Sequence, residues 1–309
     1  MDLIDFSNCQ SVLRFYGGSE QKKSIIYNNE ISQKAQEREQ LDISYTNNIY
    51  SEYIGCHIFQ MLGVETQQTV LGTYQNKEVI LCKDFVDDND RLYEFAQIKN
   101  SIPNEQGTSG CGTELSEHLD ALGQQTIYQV QKLKDYFWDM FIVDAFIGNF
   151  DRHNGNWGFI INKKDAKVKI APVYDCGSCR YPKLSDEKMD SILSNSDEIK
   201  KRVYDFPNSA IKENGKKINY FRLINSLEYE DCNNALERMM KRIDIKEVSD
   251  FIDSVPNITD IRCRFYKTML GLRYNLILHS SFIKLAEKQQ AKNPLFFKDG
   301  LAYDEENER

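Results

Sequence analysis

Two carboxylates and a side-chain amide stand at informative spacing in the middle of the chain. They are Asp151, Asn156 five residues on, and Asp175, within the stretch IGNFDRHNGNWGFIINKKDAKVKIAPVYDCGS from 147 to 178. After Asn156, Trp157, Phe159 and Ile161 alternate with Gly158 and Ile160. The turn residues Asn162-Lys163-Lys164-Asp165 follow, then Val168 and Ile170 alternate again, so the pattern predicts a β-hairpin. The loop before this hairpin holds Asp151 and Asn156, and the segment after it holds Asp175, so its two ends bring their oxygens to one mouth. Phosphoryl transfer to a hydroxyl uses such a set. One carboxylate orients the hydroxyl and takes its proton, while the other carboxylate and the amide oxygen hold Mg²⁺ on phosphate oxygens. Either Asp alone reads as an ordinary turn acid; the combination carries the phosphotransfer reading.

Helical periodicity over 126–147 places Ile127, Val130, Leu133, Phe137, Phe141 and Ala145 on one face, and this helix ends at Gly148-Asn149, just before Asp151. A second long helix is predicted at about 258–288, with Ile261, Phe265, Leu270, Tyr274 and Leu278 at helical spacing. Upstream, Ser24–Tyr27 reads as a strand closed by Asn28-Asn29, and 31–43 as a polar solvated loop or exposed helix. Ser51–Leu62 reads as a helix stopped by Gly63. Strands at 69–73 and 78–82 are joined by Gln75-Asn76-Lys77. The acidic, Gly- and Pro-containing stretch 87–117 reads as a mobile surface loop. The lobe boundary falls just before it, giving lobes at 1–86 and 87–309, and the charged tail 298–309 reads as frayed.

The chain has 309 residues, 39 basic and 47 acidic, a net charge of −8 and 41% apolar residues, enough to bury a core in two lobes. That composition excludes collagen-like, low-complexity and wholly disordered classes. The acidic balance argues against direct nucleic-acid binding, and no apolar run approaches the ~18 residues of a membrane span. Acids at Asp2 and Asp5 stand where a signal peptide would be basic. The eight scattered cysteines read as reduced thiols, so a cytoplasmic location is expected, with export left open.

The stretch IGNFDRHNGNWGF followed by APVYDCGS resembles the HipA-like kinases, protein-kinase-like enzymes known as toxins of bacterial toxin–antitoxin pairs. YGGSEQKKSIIYNNE, SYTNNIYSEYIGC, LGTY and CKDF are most similar to the short, stand-alone CtkA-type members, and the resemblance runs from about Tyr16 to Leu278. It implies an α+β, two-lobed protein-kinase-like fold, with a small β-rich N-lobe over ATP and a mostly helical C-lobe. It also implies ATP- and Mg-dependent transfer of the γ-phosphoryl group to a Ser or Thr of a protein, autophosphorylation, and an antitoxin partner.

Carried over residue by residue, Asp151 is the catalytic aspartate, and Asn156 and Asp175 are the Mg²⁺ ligands. His153 holds the geometry of the catalytic loop. Gly17, Gly18 and Ser19 through Ser24 form the phosphate-covering loop, with Ser19 and Ser24 as autophosphorylation candidates. Lys83 to Phe85 form the adenine hinge, and Glu52 pairs with a phosphate-anchoring lysine.

That lysine is where the sequence departs from the family pattern. The strand expected to carry it is not evident after Glu30. Lys34 serves from an irregular segment, Lys22 or Lys23 substitutes, or the anchor is absent. The last case would make the chain a pseudokinase-like nucleotide- or partner-binding module. A kinase acting on a lipid or small molecule would use the same catalytic groups. Cys176 and Cys179 form a C-x-x-C without the second pair that a structural zinc site needs, and read as incidental small residues. His57 reads as core or boundary, and Arg262, Arg264, Lys267 and Arg273 as a solvated basic face.

Overall fold

In the computed structural model, residues 3–12, 21–27, 30–37, 48–102 and 112–292 are described. Gly17, Gly18, Ser19 and the tail after 292 lie outside them, and Ser24 and Lys34 are described by backbone only.

The first sheet forms from strands paired through tight turns. Strand β1 (Ile4–Asp5) lies parallel to β5 (Thr69–Tyr74), and β2 (Gln10–Val12), β3 (Gln21–Tyr27), β4 (Glu30–Glu37) and β6 (Lys77–Lys83) complete the order β1-β5-β6-β4-β3-β2. Tyr74 pairs with Lys77 across Gln75 and Asn76, both at positive φ (50° and 62°), the turn whose twist matches the flanking strands. Helix α1 (Asn48–Met61) packs on this sheet and stops at Gly63, whose φ of +71° is left-handed.

Within the polar stretch 31–43, residues 31–37 depart from the reading as a loop or exposed helix, and 38–43 lie outside the described residues. Residues 30–37 are β4, paired with β3 on one side and with β6 on the other. Tyr27 pairs with Glu30 across Asn28-Asn29, so the chain turns back after two residues and the return segment completes a ladder. Partner strands, rather than side-chain hydropathy, decide this element. Lys34 sits at a register shift in it: Lys23 faces Ala35 and Ser24 faces Gln33, so Lys34 is the extra residue of a β-bulge.

The stretch 87–117 is also more ordered than its composition suggests. Strand β7 (Asp90–Glu94) adds to β8 (Gly158–Asn162) and β9 (Val168–Ile170), making the expected hairpin a three-stranded antiparallel sheet, and α2 (Phe95–Ser101) follows. The Asn162 side chain ties the outer strand to the hairpin turn, donating to Asp90 Oδ1 at 2.8 Å and accepting from Lys164 N. Residues 103–111 lie outside the described set.

The rest of the chain is mainly helical: α3 (Leu115–Gln124), α4 (Val130–Ile147), α5 (Asp186–Leu193), α6 (Ser196–Tyr204), α7 (Tyr220–Ser226), α8 (Glu230–Met240), α9 (Ile245–Ser254) and α10 (Asp260–Arg273). A π-helical turn (Tyr274–His279) joins α10 to α11 (Ser280–Lys292). Ser185, Asn195, Asn219, Asp244 and Thr259 start their helices by accepting first-turn N–H groups through their side chains.

One core runs from α1 through α4 to α10, and Trp157 stacks on Phe95 at 4.1 Å inside it. The late basic residues do not form a single solvated face. Arg262 is buried against Asp186 and the Tyr266 hydroxyl, and Arg273 is buried with its Nε on the Ala145 carbonyl at the end of α4. Arg264 and Lys267 alone are surface ion pairs, with Asp190 and Asp253. Among the described residues, no helix is long and apolar enough to cross a membrane.

Candidate active site

The site is built from the end of α4. Gly148 closes the helix at φ +67°, and a Cβ there would also lie 3.0 Å from Pro207 Cγ. Asn149 is fully buried. Its N–H and its side-chain Nδ2 bond Asp144 O and Oδ1, both at 2.9 Å, and its carbonyl accepts from the Tyr220 hydroxyl at 2.6 Å. Its Oδ1 accepts the Asp151 N–H at 3.1 Å. The Asp151 backbone is thus held from inside, while its side chain is exposed and has no hydrogen-bond partner among the described residues.

The next residue joins the two ends of the hairpin. Arg152 is 4% exposed and pairs with Asp144, 1% exposed, through Nε to Oδ2 at 3.1 Å. Its Nη1 donates to the Asn156 carbonyl at 2.8 Å and also to the Tyr174 carbonyl. One guanidinium nitrogen therefore gathers the backbone before β8 and the backbone before Asp175. Burial raises the Asp144 carboxyl above its ordinary range, and the Arg152 charge and the Asn149 amide pull it back.

Asn156 is buried, and its Nδ2 donates to the Asp151 carbonyl at 2.8 Å. With the NH₂ group so placed, Oδ1 is the face left for a cation. His153 Nδ1 accepts the Gly155 N–H at 3.0 Å, a bond that closes the loop on itself. Asn154 donates to the Gly112 carbonyl at 2.8 Å, which Lys99 Nζ also reaches at 2.7 Å.

Across the mouth, the Tyr174 hydroxyl donates to the Gly155 carbonyl at 3.0 Å, and the Tyr174 ring stacks on Phe85 at 5.6 Å. Asp175 follows with φ +58°, an uncommon backbone state for a non-glycine residue, and its side chain is exposed. Phe85, the loop 149–156 and the Asp175 segment thus meet around one tyrosine. Within the hinge, both backbone groups of Lys83 are already engaged, its N–H by Gln68 O at 2.8 Å and its carbonyl by Gln67 Nε2 at 2.9 Å.

Helix α1 is fastened to the same segment. Gly55 lies so close to it that a Cβ would fall 2.5 Å from Cys176 Cβ. Ser51 Oγ donates to the Cys179 carbonyl at 2.8 Å, and Ser51 O accepts from Arg180 Nη2 at 2.7 Å. Glu52, in the same turn, is buried with Cys56 Sγ 3.4 Å from its Oε1, and has further partners. Just beyond α1, Gln67 N donates to Val173 O and Val173 N to Glu65 O, both at 2.8 Å, which continues the tie to the segment leading into Asp175. Cys176 and Cys179 pack beneath α1 as buried free thiols.

Against this geometry stand the comparisons. The HipA-like C-terminal domain family matches residues 17–249. This chain belongs to the HipA-like family. It is 40% identical, over 97% of its length and 96% of the relative's, to the serine/threonine-protein kinase CtkA of Helicobacter pylori. The crystal structure of the H. pylori proinflammatory kinase CtkA superposes with a TM-score of 0.89, covering 93% of this chain and 98% of that one. HipA of Shewanella oneidensis, solved with HipB and operator DNA, matches at 13% identity and TM-score 0.54 over 87% and 68% of the two chains, a likeness of fold. The HipA-like chain described here is thus a two-lobed kinase-like α+β protein and an enzyme of the serine/threonine-kinase class.

Of the residues singled out by sequence, Asp151, His153, Asn156, Asp175 and Phe85 are gathered by shared hydrogen bonds and ring contacts, and Glu52 stands on the helix fastened to Asp175's segment. Lys83 instead has its backbone engaged at the end of β6, an inner strand of the sheet. Sequence reasoning missed Asp144, Asn149, Arg152 and Tyr174. Two signals were available: a charged Asp inside the apolar run FIVDAFI, and an arginine directly after the catalytic-type aspartate.

Proposed function

We propose that the chain transfers the γ-phosphoryl group of ATP to a Ser or Thr hydroxyl of a protein, with Asp151 receiving the hydroxyl proton. The observation that supports this reading is the shared grip of Arg152 Nη1 on the backbone carbonyls of Asn156 and of Tyr174, the residue before Asp175. Asn156 Oδ1 and the Asp175 carboxylate fit Mg²⁺, a hard cation that binds oxygen, keeps some waters and shares the nucleotide's phosphates. Two protein oxygens would leave the cation's other positions to phosphate oxygens and water. When bound, Mg²⁺ would neutralise charge on the transferring phosphoryl group.

Asp151, presented from a loop braced by Asn149, orients the acceptor hydroxyl and takes its proton. Tyr174 and Phe85 form an apolar wall suited to the nucleobase, with the residues after Lys83 supplying backbone contacts. Lys34, which follows Gln33, the β4 partner of Cys82, is the phosphate-anchoring lysine in this reading, and Glu52 on α1 its partner. The presence of β4 removes the sequence feature that motivated the pseudokinase alternative. Ser19 and Ser24 remain the candidates for autophosphorylation. An antitoxin partner rests on the named HipA–HipB complex of the distant relative.

The test is incubation with γ-labelled ATP, Mg²⁺ and a protein acceptor. The wild-type chain is expected to transfer label and the Asp151→Ala variant to lose it; equal labelling by the two would refute the assignment.

A further inference from the structure

We propose that Asp144 and Arg152 are a positioning pair that sets the spacing of the two magnesium ligands, and thereby the affinity of the nucleotide site for its cation; this rests on the phosphotransfer reading above. A guanidinium carries five N–H donors in a rigid plane, and in Arg152 all five have an acceptor. Nε takes Asp144 Oδ2 at 3.1 Å; Nη2 takes Asp144 Oδ1 at 3.4 Å and Cys176 Sγ at 3.3 Å; Nη1 takes the carbonyls of Asn156 and Tyr174. Arg180, equally buried in the same region, leaves Nε and Nη1 without partners. Burying an arginine does not by itself produce such saturation here.

The direction of the five bonds gives the pair its role. Asp144 belongs to α4, the most deeply packed helix of the core, and fixes one edge of the guanidinium. The opposite edge reaches two backbone segments that lie 18 residues apart in sequence and have no ladder bond to each other. One of these carbonyls belongs to Asn156 itself, and the other belongs to the residue before Asp175. Beside the single Tyr174 hydroxyl bond to the Gly155 carbonyl, this shared nitrogen is what fixes the two residues' backbones, and so the separation of their side chains.

The fixed plane explains why arginine stands here. A lysine ammonium could neutralise Asp144, but it is a point donor that cannot span the carboxylate and both carbonyls. Charge and geometry are therefore separable by substitution. Arg152→Lys keeps a cation against Asp144, and the double variant Asp144→Asn with Arg152→Met removes both charges together, so that neither buried charge is orphaned.

The experiment titrates Mn²⁺ into the full-length chain with ADP, reading bound metal by electron paramagnetic resonance, with metal-free ADP binding measured alongside. Mn²⁺ dissociation constants at least tenfold weaker in both variants are expected, with metal-free ADP affinity within about twofold of wild type. In the kinase assay, a rise in the Mg²⁺ concentration for half-maximal rate should exceed the fall in rate at saturating Mg²⁺. A wild-type Mn²⁺ affinity in Arg152→Lys, or in the double variant should the lysine form not fold, would overturn the proposal and leave the kinase reading standing. Absence of Mn²⁺ binding to the wild-type chain with ADP would instead bring down the reading beneath it, and this inference with it.

Discussion

The Asn156 side-chain amide donates to the Asp151 backbone carbonyl at 2.8 Å, so the residue proposed to bind metal also shapes the loop that presents the proposed base. The two groups are coupled through five residues of chain and one hydrogen bond. Asn156→Ala would remove a cation ligand and loosen the Asp151 loop together. Asn156→Asp would keep an oxygen for the cation and lose the donor. Both are expected to lower phosphotransfer at least 100-fold, and the aspartate variant to bind metal-nucleotide more tightly than the alanine variant, read by isothermal titration with Mg-ADP.

Asp151 is exposed, so its removal should spare the fold. Asp151→Asn is expected to cost about 10²–10⁴ in rate, the usual contribution of a general base. Its unfolding free energy should stay within about 0.5 kcal/mol of wild type, measured by urea denaturation. A loss of several kcal/mol would show that Asp151 is structural.

The strand at 30–37 gives Lys34 a place in the sheet, and α1 gives Glu52 a buried one. Lys34→Met and Glu52→Gln are each expected to weaken ATP binding, and the double variant to be little worse than either single one, the signature of two residues acting as a unit. Fluorescent-nucleotide titration of the four proteins checks this. Independent, additive losses would speak against the pairing.

Close approach at Gly55 supplies a steric test. A methyl group added there meets Cys176 Cβ at 2.5 Å, inside any normal contact. Gly55→Ala is expected to cost about 1–3 kcal/mol through overpacking and to reduce nucleotide affinity by displacing the turn that carries Glu52. Adding Cys176→Gly should recover much of both losses. Thermal unfolding and nucleotide titration of the three variants would show it.

How much of this was legible in the sequence divides by the kind of interaction. The hairpin from 158 to 170, α4 and the Gly63 and Gly148 stops were readable because local periodicity and left-handed glycines act within a few residues. Strand β4 was not, because ISQKAQE has almost no apolar alternation and owes its conformation to β3 and β6 on either side. The same limit hid β7, whose partner β8 lies far along the chain, and the clamp made by Arg152, whose acceptors come from α4, the loop 149–156 and the segment after β9. Arg262 and Arg273 looked solvated because charge is read from sequence before its partners are known.

His118 provides a pH test of the core around the loop 149–156. Burial between Phe95 and Phe137 pushes its pKa down to about 4 from 6.5, so the folded state holds it neutral. The unfolded chain takes up a proton below pH 6.5 that the folded chain refuses until about pH 4. Its contribution is fully present above pH 6.5 and is lost as pH falls through that window, amounting to about 3 kcal/mol. His118→Gln should flatten stability against pH between 6.5 and 4 in denaturant titrations; an unchanged slope would place the acid sensitivity elsewhere.

The most direct test of the account is a crystal structure of the chain with Mg²⁺ and a non-hydrolysable ATP analogue. The account expects one Mg²⁺ bridging the phosphates to Asn156 Oδ1 and the Asp175 carboxylate, with the base against the Phe85–Tyr174 wall and Asp151 facing the γ-phosphate. A nucleotide bound elsewhere, or a metal held without either ligand, would contradict it.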